Sequence, residues 1–294
     1  MDERLLYCGI SLLSACSWAL GAILWRRLGE QLSSYSMNLG KTVLGSLYLG
    51  LFLLLIGYQP VDMRSFVFLA LSGIIGITIG DTFFFLALMQ LGPRRASLMG
   101  ALNPVAIAVA AAVSLGERPT PGAWLGIAAT ACGVGWVLWE RAPVASGGAE
   151  NRSRGISYGL LSVLCTAGAV LLAKVGVASV PTVHATWLRL MAGSAGLAFW
   201  GASRSELGEW VAPFRRGELL AKVAAVVVVV VAGGFWLSLV ALKHIDASIA
   251  GPLNATGPLF ILPMSILLMK EKLSRRAVLG TVIAVGGVAL ILRG

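Results

Sequence analysis

The sequence predicts an all-α integral membrane protein in which ten transmembrane helices form two inverted five-helix repeats around a central cavity. Three observations lead to this prediction. The composition is strongly apolar, the apolar residues fall into ten separate runs, and the second half of the chain repeats the first.

The composition excludes an ordinary soluble domain. Hydrophobic residues make up 57% of the 294 positions and charged residues only 12%, and the mean hydropathy is +0.86. Soluble domains carry roughly 25% charged residues. Because a segment in lipid must satisfy its own backbone polar groups, helices are the default spanning elements. We therefore expect a multi-pass protein of the plasma membrane, the inner membrane in a bacterium, in contact with membrane lipid.

The ten runs are long enough to cross a bilayer, for which about 20 residues suffice in a helix. They cover residues 5–25, 35–57, 66–90, 95–115, 119–139, 155–176, 182–202, 219–243, 247–269 and 274–292. Loops this short leave no room for a soluble catalytic domain. The net charge of +10 is spread over loop ends, so no nucleic-acid partner is expected.

An internal duplication divides the chain. A shift of 154 positions places residues 80–138 on 234–292 without a gap, with 14 of 59 positions identical, and a shift of 148 aligns the earlier helices. Matched pairs include Pro104/Pro258, Glu117/Glu271, Lys41/Arg189 and Ser14/Ser162. The predicted units are a first repeat at 1–141, a linker at 142–154 and a second repeat at 155–294. Because five spans is an odd number, the second repeat is inverted, an arrangement that in transporters places a site near the midplane. A duplication alone would also suit a purely structural membrane protein.

The repeated stretches resemble a known family. "NPVAIAVAAAVSLGER" and "GPLFILPMSILLMKEK", each followed by a Gly-rich last span, and "SWALGAILWRR" in the first span resemble the drug/metabolite transporter superfamily, specifically its ten-helix EamA-type members. The family's Trp-Gly pair of the first span reads Trp18-Ala19 here. The resemblance implies a secondary transporter that exports a small amphipathic metabolite, such as an amino acid, by alternating access. The alternatives are an uncoupled facilitator or uptake carrier of another solute, and a flippase for a lipid-linked intermediate.

One acid is predicted deep inside a span. Asp81 interrupts the third run, and its repeat mate is Phe235. Lys41 in the second run lies at a depth that differs from that of Asp81 by only about 4 to 5 Å, at about 1.5 Å per residue. We therefore expect the two side chains to interact. Asp81 is a candidate proton-coupling site, and a purely structural ion pair and a partner for a substrate ammonium are the alternatives.

Further candidates line the predicted cavity. Arg189, the repeat mate of Lys41, is expected to attract a substrate anion, with helix-end snorkelling as the alternative. Asn38 lies one turn before Lys41. In span 9, Asn254 lies between two prolines, and Pro104 and Pro258 are expected to break helices beside the site or to shape packing only. The aromatic candidates are Trp18, Phe84, Trp187 and Trp236.

Motifs for enzymatic chemistry are absent from the sequence. It contains no HExxH motif and no phosphate loop, so no catalytic residue, metal or cofactor is expected. Glu117 and Glu271 are interpreted as helix-end caps, and the glycines of spans 5 and 10 as packing positions within the protein or between subunits of a homodimer.

The orientation of the termini is open. The resemblance implies cytoplasmic termini. Of the 23 Lys and Arg residues, 6 lie on the terminal side and 15 on the other side, and Lys41 and Arg189 lie within spans. The positive-inside rule then predicts the opposite orientation.

Overall fold

The computed structural model describes residues 3–29, 31–91, 99–100, 102–140, 149–257, 259–260 and 275–293. Within these ranges the chain forms helices joined by short turns. In chain order the helices are α1 (Glu3–Leu28), α2 (Ser34–Ile56), α3 (Met63–Gly73), α4 (Asp81–Leu91), α5 (Asn103–Ser114), α6 (Pro121–Glu140), α7 (Ala149–Val177), α8 (Thr182–Ser203), α9 (Leu207–Val211), α10 (Gly217–Val228), α11 (Leu237–His244), α12 (Ala247–Asn254) and α13 (Arg275–Arg293).

The helices follow the predicted apolar runs closely. Most observed ends lie within three residues of the predicted ones. Helix α7 is the exception, because it begins at Ala149, inside the predicted linker 142–154. Parts of the runs 95–115 and 247–269 lie outside the described residues.

Five segments of the described chain are long and apolar enough to cross a membrane. They are Glu3–Trp25, Ser34–Ile56, Met63–Phe84, Ser153–Val177 and Gly217–His244. Two shorter apolar helical segments, Asn103–Ser114 and Leu279–Ile291, accompany them. In the part of the chain that the structure describes, an all-helical architecture with several candidate membrane spans is therefore confirmed.

Side-chain caps fix the N-terminal ends of α2 and α3. Ser33 accepts a hydrogen bond from the backbone N–H of Ser36 at 3.1 Å, and Asp62 accepts one from the N–H of Ser65 at 2.9 Å. These bonds satisfy N–H groups that the first helical turn leaves without partners. At its other end α2 stops at Gly57, whose φ of +89° favours glycine.

Two spans contain a π-helical segment at equivalent positions. Ile74–Gly80 joins α3 to α4, and Val229–Trp236 joins α10 to α11. A shift of 154 maps 74–80 onto 228–234. π-Helical segments are rare in proteins overall. Those that do occur are often found at functional sites.

The two halves contact each other through matched pairs of residues. Ser14 donates a hydrogen bond to the Gly234 carbonyl at 2.8 Å, and Ser162 donates one to the Gly80 carbonyl at 2.9 Å. Exchanging repeat mates converts one contact into the other. Both serines bind the carbonyl of a glycine within the π-helical segments.

The glycines at which helices of the two halves approach closely also come in matched pairs. A Cβ atom on Gly45 would lie 2.7 Å from the Val231 side chain, and one on Gly193 would lie 2.9 Å from the Ile77 side chain. These two pairs are again repeat mates. Small residues at such positions let helices pack tightly.

Helices α6 and α13 pack on each other along their glycines. A Cβ on Gly126 would lie 2.6 Å from the Gly287 carbonyl oxygen, and one on Gly133 would lie 2.6 Å from the Gly280 carbonyl oxygen. The predicted glycine packing therefore occurs within the chain at these positions.

Candidate functional site

A cavity of about 330 Å³ lies between six helical segments of the bundle. The first half contributes α1 and α5, and the second half contributes α7, α8, α12 and the span that contains α11. Its volume is at the lower end of the range of roughly 300 to 1,000 Å³ typical of small-molecule sites. The polar and aromatic lining residues are Trp18, Asn103, Thr166, Arg189, Phe235, Ser238 and Asn254.

The predicted pairing of Lys41 with Asp81 is present. The Lys41 ammonium lies 3.2 Å from the Asp81 carboxylate, and Lys41 is only 9% exposed. The contact forms because Lys41 lies in the interior part of α2, while Asp81 is the first residue of α4 after the π-helical segment. Buried charges are tolerated when they are paired in this way.

The ion pair adjoins the wall of the cavity. The Lys41 ammonium lies 5.3 Å from the centre of the Phe235 ring, a distance that allows a cation–π contact. Phe235 is the repeat mate of Asp81 and lines the cavity itself. The pair and the cavity are therefore neighbouring parts of one region.

Arg189 lines the same cavity without an ion-pair partner among the described residues. Its Nε atom is buried and has no hydrogen-bond partner there. Asp81 interacts with its guanidinium electrostatically, but the described carboxylates all lie beyond the 4.0 Å limit of an ion pair with it. A buried cation without a contact partner is costly.

Two amides of the cavity are also incompletely bonded. The side-chain oxygens of Asn103 and Asn254 are buried and have no donor among the described residues. Because buried polar atoms normally have partners, such atoms need an explanation, and a bound ligand is one. Asn254 is thus placed at the cavity.

Asn38 lies close to the ion pair and outside the cavity lining. Its amide nitrogen donates to the Ile77 carbonyl in the π-helical segment at 3.3 Å, and its own amide oxygen is unpartnered among the described residues. Phe84 lies one turn beyond Asp81 on α4 and is partly buried. Neither residue lines the cavity.

The four predicted aromatic residues have different surroundings. Trp18 lines the cavity and contacts Phe235 edge to face, with the ring centres 4.7 Å apart. Trp187 donates its indole N–H to the Ser46 carbonyl at 3.1 Å, and Trp236 donates to the Thr182 hydroxyl at 3.0 Å. These two indoles connect helices and are not among the cavity-lining side chains.

The predicted helix breaks are only partly described. Pro104 lies in the first turn of α5, directly after Asn103, where proline is well tolerated. The helix therefore begins beside the cavity at this point. Pro258 lies outside the described residues.

A second, larger cleft lies at the membrane face that carries the chain termini. Its volume is about 570 Å³, and its lining includes Glu3, Arg4, Arg118 and Asp246. At this face Glu117 accepts hydrogen bonds from the backbone N–H groups of Ala247 and Ser248 at 2.8 and 2.9 Å. Glu117 therefore caps the first turn of α12, a different helix from α5, which it follows, and Glu271 lies outside the described residues. We regard the interior cavity as the stronger candidate because it combines apolar walls with unsatisfied polar atoms.

Thr166, Phe235 and Ser238 are polar or aromatic lining residues for which the sequence predicted no place in the site. The repeat alignment pairs Phe235 with Asp81, but that pairing does not by itself predict a lining role. Nothing in the local sequence distinguishes Ser238 from other small polar residues of a span.

The fold and the cavity define a class: multi-pass helical membrane proteins with a solute-sized, partly polar site inside the bundle. The sequence profile of the EamA-like transporter family matches residues 5–139 and 153–293. The chain therefore belongs to the EamA-like transporter family, as the resemblance of its repeats implied.

The chain is also similar to a transporter known from sequence and to a solved structure. An uncharacterized transporter of Archaeoglobus fulgidus is 22% identical over 284 residues, which is 96% of each chain. A solved crystal structure superimposes with a TM-score of 0.75, covering 99% of this chain and 96% of its own, at 19% identity. The second likeness concerns the fold alone.

Proposed function

We propose that the protein is a secondary transporter that exports a small amphipathic metabolite, an amino acid or a solute of similar size and polarity, by alternating access. The observation that carries the proposal is the interior cavity, where Arg189 and two amide oxygens lie beside aromatic walls and lack contact partners among the described residues. A purely structural membrane protein would gain nothing from such a costly arrangement.

The working parts in this proposal are two inverted repeats of five spans. The matched contacts, such as Ser14 with Gly234 and Ser162 with Gly80, support a two-fold relation between the halves. Since each half has an odd number of predicted spans, the relation exchanges the two membrane faces. Rocking of one half against the other would then open the cavity to either side in turn.

Asp81 is the coupling residue in this proposal. Its side chain is 37% exposed, contacts Lys41 and interacts electrostatically with Arg189. Protonation would release both cations from the carboxylate, so proton binding and solute binding would compete at one place.

Carriage is tested with the purified protein in liposomes. Counterflow of a labelled solute from a metabolite mixture is the expected result, with the same solute stabilising the protein against heat. Failure of every solute in the mixture to exchange would contradict carriage, and flipping of a lipid-linked molecule would replace it with the flippase alternative.

Coupling is tested with Asp81→Asn in the same liposomes. We expect transport driven by a pH gradient to fall at least about tenfold, because a neutral side chain cannot exchange a proton. Glu206→Gln is the matched control, since Glu206 is an exposed acid paired with Arg204 away from the cavity. Wild-type rates in Asp81→Asn under a pH gradient would refute the coupling role.

A further inference from the structure

Positively charged side chains outnumber negatively charged ones at and beside the cavity, among the described residues. Among the described interior side chains, Lys41, Asp81 and Arg189 carry charges at or beside this cavity. The single carboxylate is in contact with Lys41, so Arg189 supplies a surplus of one positive charge.

Lys174 is a partly buried cation that belongs to a different group of charges. Lys174 donates to the carbonyls of Leu242 and Ile245 at 2.8 and 2.6 Å, at the end of α11. Glu117 and Asp246 lie close enough to interact with it electrostatically. Two acids therefore offset Lys174 at the terminal face, and Arg189 keeps its surplus.

The other walls of the cavity indicate which further groups a fitting solute carries. Trp18 and Phe235 provide an aromatic wall, and the amide oxygens of Asn103 and Asn254 lack donors among the described residues. A solute that fills this space carries an apolar part and a group that donates a hydrogen bond.

From this charge balance we propose that the preferred solute is a small amphipathic monocarboxylate whose hydrogen-bond donor is uncharged, such as a 2-hydroxy acid, rather than a zwitterionic amino acid. This inference rests on the proposed function. The carboxylate would contact Arg189 and bring the net charge of the site to zero, the hydroxyl would donate to an asparagine oxygen, and the apolar part would pack on Trp18 and Phe235. A zwitterion would leave one positive charge uncompensated in a low-dielectric interior, where such a charge is costly.

Three probes built on the same phenethyl skeleton separate the possibilities. They are 3-phenyllactate, phenylalanine and phenethylamine, an anion, a zwitterion and a cation. In counterflow with wild-type protein in liposomes, we expect 3-phenyllactate to exchange at least about tenfold faster than phenylalanine, and phenethylamine not to exchange, because an unpaired charge is disfavoured in the site.

Two variants test whether Arg189 sets this preference. Arg189→Gln is expected to abolish the preference for the anion, and Arg189→Lys to retain it, since the charge remains. Arg204→Gln is the matched control, because Arg204 is 53% exposed and pairs with Glu206 at 3.4 Å. Elution as a single symmetric peak in size-exclusion chromatography shows that each variant is folded. The wild-type probe series decides the proposal even if Arg189→Gln does not fold.

The outcomes distinguish this inference from the proposed function. Equal or faster exchange of phenylalanine would overturn the monocarboxylate preference and leave carriage intact. Unchanged anion preference in folded Arg189→Gln would overturn the role of Arg189. Absence of exchange for all three probes and for the wider metabolite mixture would contradict carriage, and this inference with it.

Discussion

The interface between the two halves and the cavity beside it follow opposite rules. At the interface, contacts come in pairs of repeat mates, as with Gly45 against Val231 and Gly193 against Ile77. Beside the cavity one pair of mates differs in kind, since Asp81 corresponds to Phe235. The comparison teaches that duplication maintains the packing, whereas chemistry arises where the two copies have diverged.

The largest effect is expected from breaking the asymmetric ion pair. Asp81→Asn should destabilise the protein by about 3 kcal/mol, the lower end of the range for breaking a buried pair, because Asp81 is partly exposed. Adding Lys41→Met should recover much of this loss, since no uncompensated charge then remains. Unfolding of both variants and of Lys41→Met alone in detergent measures the coupling. Strict additivity of the two single effects would show that the pair contributes nothing.

A slightly smaller effect is expected at the symmetric packing of α6 on α13. Gly133→Leu should cost about 2 kcal/mol, because its Cβ would meet backbone atoms of Gly280 and Ala284 that cannot move aside as a side chain can. Gly135→Leu is a matched control on the same helix, where no atom lies within 4 Å of the added Cβ. Thermal unfolding of the two variants is the measurement, and equal melting temperatures would contradict the packing described here.

The serine contacts test whether the halves are energetically equivalent. Ser14→Ala and Ser162→Ala should each destabilise by about 1 kcal/mol, the usual net contribution of one hydrogen bond. Because the two bonds are nearly equal in length, 2.8 and 2.9 Å, the two losses should agree closely. A large difference between them in denaturant titrations would show that the matched contacts are not energetically matched.

The smallest effect is a pH dependence at a loop contact between the halves. Hydrogen bonds from Ser65, and from Ser179 of the second half, lower the pKa of Asp62 below its ordinary value. A lowered folded-state pKa means that the stabilisation is present above the unfolded-state pKa and is lost as the pH falls through the folded-state value. Asp62→Asn keeps a capping side chain but removes the titration. The difference in melting temperature between wild type and variant should therefore shrink between pH 5 and pH 3, and a constant difference would argue against the contact.

Much of the fold was predictable because hydrophobicity decides it. Charged and turn-forming residues mark the ends of apolar runs, so helices such as α2 and α8 begin and end close to the predicted residues. The π-helical segments were not predictable, since the sequence of 74–80 has the same apolar character as an ordinary span. The start of α7 at Ala149 was not predicted, because the polar residues of 149–154 resemble a linker. Several of them nevertheless favour helix.

The candidate site was predictable where depth and charge determine it. The similar depths of Lys41 and Asp81 in their spans predicted that the two side chains interact, and they do. Arg189, Trp18 and Asn254 line the cavity, where the sequence placed them. The orientations of the Trp187 and Trp236 indoles were harder to predict, because the direction of an indole depends on which neighbour accepts its N–H. No sequence pattern specifies the Ser46 carbonyl as that acceptor.

The π-helical segment before Asp81 has a consequence for the angular position of the acid. A π-helical turn joins residues five apart instead of four, so it accommodates one additional residue while the helix on either side keeps its rotation. Removing a single residue from 74–80 would therefore let an ordinary helix form without turning Asp81 around the axis. The carboxylate would still face Lys41, so losing one residue from this stretch would be tolerated better than losing one from ordinary helix, where each missing residue turns the remainder by about 100°.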